Sequence, residues 1–189
     1  MSIFHHQVRT TFFSRGLYTT KYLNTDKYSS IIPFLTVRDL KSEREKFDGI
    51  LDVRTPAEFK EDRVPGAVNI PVLSDEERVV IGTEYSRNKF EARRHGAALI
   101  SRNISDHLLH HFADKPPSYR PLIYCWRGGQ RSRSLAIILQ EIGFQPTLLL
   151  GGYKEYRRLV RQRLFDTGPA SLVSTMRMVR ISGATGSGK

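Results

Sequence analysis

The 189-residue chain contains one cysteine, set in the stretch Tyr124-Cys125-Trp126-Arg127-Gly128-Gly129-Gln130-Arg131-Ser132. A short apolar run, Pro121-Leu122-Ile123, precedes it, and a helical pattern from Leu135 to Ile142 follows. The spacing predicts a strand, a tight glycine-containing loop and a helix start, with the thiol at the first loop position. There it faces backbone N–H groups and the positive end of the following helix, and Arg127 and Arg131 add formal charge. Each of these favours thiolate over thiol. Cys125 is therefore the candidate nucleophile, and Trp126, Arg127, Gly128, Gly129, Gln130 and Arg131 form a candidate anion-binding loop. The chemistry is that of a thiolate that carries or receives an anionic group. The alternative is an inert buried cysteine, but such residues rarely stand between two arginines in a glycine loop.

The surrounding chain must hold this loop in place. Thr36 reads as a helix N-cap, with Asp39 three residues on and Val37 and Leu40 as apolar positions. Gly49 to Val53 is a short apolar strand, and Thr55-Pro56-Ala57-Glu58-Phe59 opens a brief helix with proline in its first turn. Val64 to Pro71 is a turn followed by a strand, and Ser74-Asp75-Glu76-Glu77 is a capped helix start. Apolar positions from Asn88 to Phe112 fit one or two helices. His110 and His111 fall at their end and read as surface residues. Pro116-Pro117 breaks the helix. After the cysteine loop, a helix from Ser132 ends at Gly143, Pro146 to Leu150 is a strand, and Gly151-Gly152 turns into a basic helix, Tyr153 to Leu164. Asp166 to Ser174 reads as a looser linker containing Gly168 and Pro169. Strands that alternate with helices predict an α/β fold, an open parallel sheet with helices on both faces. Ligands of such sheets bind beyond the carboxyl ends of the strands, where Cys125 lies.

Composition narrows the function classes. With 39% apolar and 26% charged residues the chain has the make-up of a globular protein, and no apolar run approaches the ~18 residues of a membrane span. A single cysteine forbids an internal disulfide framework and leaves too few thiolates for a structural zinc site, so no metal is expected, and a reducing intracellular setting is. The net charge of +11 is concentrated at the ends. Residues 1–25 carry Arg9, Arg15 and Lys21 with no acid, and they are rich in hydroxyl residues. This is the composition of an organellar transit peptide, mitochondrial or plastid, or else of a disordered start. A cytoplasmic location goes with the second reading. The His5-His6 pair has no third ligand nearby and reads as incidental. The C-terminal stretch 153–189 is basic, with Lys154, Arg157, Arg158, Arg161 and Arg163 in its helix, which suits either a nucleic-acid surface or a solvated helix face.

A second chemical stretch closes the chain. Met178-Val179-Arg180-Ile181 reads as a strand running into Gly183-Ala184-Thr185-Gly186-Ser187-Gly188-Lys189, which fits G-x-x-x-x-G-K. Loop amides of that motif cradle phosphates and the lysine meets their charge, so Gly183, Gly186, Gly188 and Lys189 are candidate phosphate-binding residues. The expected organisation is a disordered or transit-like segment over 1–30, a domain over 31–165, a linker over 166–176, and the incomplete start of a P-loop domain over 177–189.

Several of these stretches resemble the rhodanese family in order and spacing. They are Asp52-Val53-Arg54-Thr55-Pro56-Ala57-Glu58-Phe59, Arg63 to Pro71, the cysteine loop, Gly143-Phe144 and Leu150-Gly151-Gly152-Tyr153. The cysteine loop, Leu73 to Arg78, Phe90 to Arg94 and Gly151 to Arg157 are more narrowly similar to bacterial-type tRNA 2-selenouridine synthases. That family also places a P-loop domain after its rhodanese domain; Gln130 departs from it, standing where Met is common. The resemblance implies a selenotransferase that replaces sulfur by selenium in wobble 2-thiouridine of tRNA. Selenophosphate would be the donor, and a geranylated intermediate would form from geranyl diphosphate, with no bound cofactor. It makes Cys125 the selenium-handling nucleophile, with Arg127, Arg131 and the loop amides on the anionic donor or intermediate. Arg54 and Glu58 would brace the strand-to-helix turn as an ion pair. Five residues separate Cys125 from Arg131, one more than the sulfur-transferring rhodaneses resemble, and a longer loop makes a wider cradle of N–H groups. Cysteine-dependent phosphatases share that spacing, but Tyr124 stands where their histidine is usual, and the loop lacks a general-acid carboxylate. Two further readings stay open: a plain sulfurtransferase carrying a persulfide on Cys125, and a non-catalytic rhodanese module that docks tRNA or a partner. Because a P-loop works with its following helix, weak nucleotide binding is expected of the 189-residue chain. Titration with ATP should give no saturable site; saturation would overturn this expectation.

Overall fold

The computed structural model describes the backbone of residues 17–18 and 32–175 and the side chains of 32–166. Six strands form one sheet: β1 (Leu17–Tyr18), β2 (Phe34–Leu35), β3 (Gly49–Asp52), β4 (Ala67–Asn69), β5 (Pro121–Tyr124) and β6 (Thr147–Leu149). Their spatial order is β1-β2-β6-β5-β3-β4. The five strands from β2 to β4 are parallel, and β1 adds antiparallel to the β2 edge. Sequence patterning places the folded start near Ile31. The two-residue strand β1 lies before that point because an edge strand leaves N–H and C=O groups that even a short segment can pair.

Helices alternate with the strands: α1 (Leu40–Glu43), α2 (Pro56–Glu61), α3 (Asp75–Arg87), α4 (Lys89–His110), α5 (Gln130–Ile142) and α6 (Gly152–Thr175). Side chains alternate across the sheet, so each central strand feeds two cores. On one face Leu51, Ile123 and Leu148 pack with Ile104 of α4 and with Leu135, Ala136 and Leu139 of α5. On the other, Ile50, Leu122 and Leu149 pack with Leu40 of α1 and Tyr153 at the start of α6. Helices thus cover both faces, as the sequence predicts. The central strand β5 is buried along its whole length, which is why it reads as a continuous apolar run.

Local chemistry explains most element boundaries. Thr55 and Ser74 each cap a helix through a complete capping box, with Glu58 and Glu77 as the returning carboxylates. Asn88 Oδ1 accepts from the amides of Phe90 and Glu91 and separates α3 from α4. Gly143 ends α5 at φ 113°. Three boundaries differ from the sequence reading. Thr36 is not the N-cap of α1: its hydroxyl donates to Asp39 Oδ2 at 2.6 Å and closes a turn, so the helix starts only after Asp39. α5 begins at Gln130, two residues before Ser132, because the glycine loop leads straight into the first helical turn. α6 continues as helix to Thr175 through the segment that reads as a looser linker. The fixed φ of a proline lies within the helical range, so a helix can run through Pro169 at the cost of one absent backbone hydrogen bond and crowding against the preceding turn.

Residues 1–156 form one compact unit and residues 157–189 a second. In the second, Arg157, Arg158, Arg161 and Arg163 are exposed. No helix among the described residues is long and apolar enough to cross a membrane. Leu139 is fully buried between α5 and the sheet. Its truncation to alanine should destabilise the sheet unit by about 2–5 kcal/mol, read as a lowered urea midpoint with an unchanged slope.

Candidate active site

The cysteine loop runs from the carboxyl end of β5 to the first residue of α5. The carbonyl groups of its first two residues are held from below. The amide of Tyr153 donates to Cys125 O at 2.9 Å and the amide of Lys154 to Trp126 O at 2.9 Å. Both donors belong to the first turn of α6, where backbone N–H groups lack helical partners. The close approach depends on glycine. A Cβ on Gly152 would lie 2.3 Å from Cys125 O and 2.6 Å from Gly128 N, and its φ is +61°. Gly128, at φ +68°, has Leu149 O and the Gly151 amide directly against it. The Gly151-Gly152 turn after β6 is therefore the floor of the cysteine loop.

Cys125 is buried at 3% exposure. Its Sγ accepts hydrogen bonds from the Gly129 amide at 3.2 Å and the Ser132 hydroxyl at 3.3 Å. Of the other loop residues, Trp126 is half-buried against Tyr153, with ring centroids 5.8 Å apart. Arg127 is exposed and has no ion-pair partner among the described residues. Gln130 and Arg131 line a cleft of about 290 Å³ that α3 and α4 form beside the start of α5. Leu73, Ile81, Ala97 and Ile100 give the cleft an apolar wall, and Arg78 and Arg93 add positive charge.

Arg54 and Glu58 do not pair with each other. Arg54 lies in the interior at 1% exposure and grips Asp52, itself fully buried, through Nε to Oδ1 at 3.0 Å and Nη2 to Oδ2 at 2.7 Å. The same Nη2 reaches Asp62 O at 2.6 Å, and the guanidinium stacks 3.9 Å from the Tyr153 ring. Burial works against its charge, but the hydrogen bonds and field of Asp52 prevail and raise its pKa. A planar guanidinium with five donors can satisfy one carboxylate and a carbonyl at once, so the nearer acid, two residues away, takes it. Glu58 instead accepts from Arg131, Nη1 to Oε2 at 2.7 Å. Burial disfavours the charged carboxylate, but hydrogen bonds from Arg131 and the Thr55 amide hold its pKa below the usual range. Beneath the loop, Tyr124 accepts from the Val64 amide at 3.2 Å, and burial pushes its phenol pKa far up.

Of the predicted loop residues, Gly129 touches the Cys125 sulfur, Trp126, Arg127 and Gly128 continue the loop, and Gln130 and Arg131 line the neighbouring cleft. Gly183, Gly186, Gly188 and Lys189 lie outside the described residues, as does most of the transit-like segment. Ser132 is a sulfur partner that motif reading passes over, although its position in the first turn of a helix entering from the cysteine loop was a usable signal. The role of Glu58 had no such signal, since Arg131 is distant in sequence. The histidine pair is split. His110 is exposed, whereas His111 is half-buried, edge-on to Phe112 at 4.8 Å, with no hydrogen-bond partner for Nε2. Burial, then the charges of Lys115 and His107, lower its pKa. The surface reading fails for His111 because the chain turns inward to Phe112 at the end of α4. No cluster of metal-ligating residues occurs among the described residues.

Residues 36–159 match the rhodanese-like domain family. The chain belongs to the rhodanese family. Its rhodanese domain is 35% identical over 149 residues to the tRNA 2-selenouridine synthase of Nitrosomonas europaea, a match covering 74% of this chain and 36% of that protein. The corresponding enzyme of Sulfurovum sp. is 37% identical over 142 residues, covering 74% and 38%. The chain therefore spans a little over a third of the length of these relatives. Among solved structures, the N-terminal domain of a Clostridium difficile 630 protein, described as ATP/GTP binding, is similar at TM-score 0.57 and 32% identity, covering 67% of this chain and 98% of that one.

The glycine floor is open to direct test. Gly152→Ala should destabilise the rhodanese domain by about 2 kcal/mol or more, through overpacking and a strained φ. It should also change the alkylation rate of Cys125 at temperatures where the domain remains folded. An unchanged melting temperature and unchanged alkylation would show that the loop does not depend on this contact.

Proposed function

We propose that the chain is the rhodanese part of a tRNA 2-selenouridine synthase, with Cys125 as the nucleophile that handles selenium. The observation that carries this reading is the Cys125 loop. Its sulfur accepts from Gly129 N and Ser132 Oγ, at the mouth of a loop whose first carbonyls are tied down by α6. Thiolate is the reactive form of a cysteine, and both donors point at the sulfur. Arg127 and the helix end beside it favour a bound anion, such as the phosphate of selenophosphate. The similarity to proteins named tRNA 2-selenouridine synthase supports this reading, in which the substrate is 2-thiouridine at the tRNA wobble position and a geranylated intermediate forms from geranyl diphosphate. tRNA is the proposed macromolecular partner, and the exposed basic residues of α6 are a suitable phosphate-facing surface. In the same reading the glycines and lysine of 183–189 contribute to a phosphate or diphosphate site.

Cys125→Ser should reduce selenium incorporation into 2-thiouridine tRNA to background while leaving the circular dichroism spectrum and tRNA binding unchanged. Surviving selenation would remove the nucleophile assignment. Mass analysis of the protein after exposure to thiosulfate or to selenophosphate separates this reading from plain sulfur transfer. A persulfide on Cys125 without selenation of tRNA would favour the sulfurtransferase.

A further inference from the structure

Arg131 stands in the first turn of α5, directly after the Cys125 loop, and is already engaged by a carboxylate from another element. Glu58 Oε2 takes Nη1 at 2.7 Å and Oε1 takes Nη2 at 3.4 Å. The carboxylate itself is not free to turn. It closes the capping box of α2, accepting from the Thr55 amide at 3.1 Å while its own amide donates to Thr55 Oγ1. Both side chains are mostly buried, Arg131 at 14% and Glu58 at 27% exposure. A guanidinium has five N–H donors in one plane. The two bonds to Glu58 leave three, and among the described residues the Arg131 guanidinium has no other hydrogen bond. The same side chain lines the cleft that opens beside the loop.

We propose that Glu58 is a positioning residue for anion recognition: it holds the Arg131 fork so that its remaining N–H donors receive a phosphate-type dianion bound at the Cys125 loop. The proposal deepens the functional reading and rests on its claim that the loop receives an anionic group. It has a physical rationale beyond charge. A bare arginine side chain loses rotamer entropy when it binds an anion, whereas one already held loses little. Glu58 neutralises part of the charge and in return fixes the direction of the donors. The carboxylate stays ionised in this role because Arg131 and the Thr55 amide outweigh its burial.

The test uses inorganic phosphate as the probe and protection of Cys125 from iodoacetamide as the readout, so it requires no selenation. Wild type, Glu58→Gln, Arg131→Ala and the double variant are compared, each checked for a cooperative thermal transition. Phosphate should protect the wild type. Arg131→Ala should weaken protection about ten-fold, the size of one lost charge-assisted contact. Glu58→Gln, which keeps a neutral acceptor, should weaken it several-fold, but should have no further effect once Arg131 is gone. That non-additivity separates positioning from a capping role, since a weakened α2 cap would act equally in both backgrounds. Equal effects of Glu58→Gln with and without Arg131 would overturn the proposal. So would protection that survives Arg131→Ala, or phosphate that fails to protect the wild type. A wild type protected by phosphate whose Cys125 takes up no selenium from selenophosphate would leave the positioning role standing and refute the functional reading alone.

Discussion

The cysteine loop depends on the first turn of another helix. Two N–H groups of α6, from Tyr153 and Lys154, bind the carbonyls of Cys125 and Trp126. A helix start has spare donors and a loop has spare acceptors, so each satisfies the other at no cost to either element's own ladder. The contact requires backbone to touch backbone, which only Gly152 permits. The Sγ and the Gly129 amide then meet on the far side of the loop. The geometry of the Cys125 thiol is in this sense set by a glycine twenty-seven residues downstream.

Two arginines near the loop are held in different surroundings. Arg54 is enclosed, bound by Asp52 and stacked on Tyr153. Removing either partner would leave an uncompensated charge in the interior, the costly outcome for a buried pair. It ties β3 to the helix whose amides support the loop. Arg131, mostly buried, is paired with Glu58 and lines a cleft. The acids that hold them, Asp52 and Glu58, lie close together in the chain, one at the end of β3 and the other in α2. The rhodanese sheet supplies the common ground. Its central strand β5 is rigid, covered on both faces, and ends at the thiol.

The sequence by itself determined much of this. Alternation of strands and helices determined a parallel α/β sheet, because apolar runs on both faces of a strand demand cover on both sides. Capping boxes at Thr55 and Ser74 were legible because their partners lie three residues away. The place of Cys125, at the carboxyl end of a strand and the start of a glycine loop, was legible because an apolar run precedes it and a helical pattern follows. What only the tertiary structure decided were pairings between residues distant in the chain. Glu58 reaches Arg131 rather than Arg54, Tyr153 supports Cys125, and His111 turns inward. Local spacing specifies which groups are available. Partner choice follows from which of them the packed sheet brings within hydrogen-bond reach, and that distance is a property of the fold rather than of any stretch of chain.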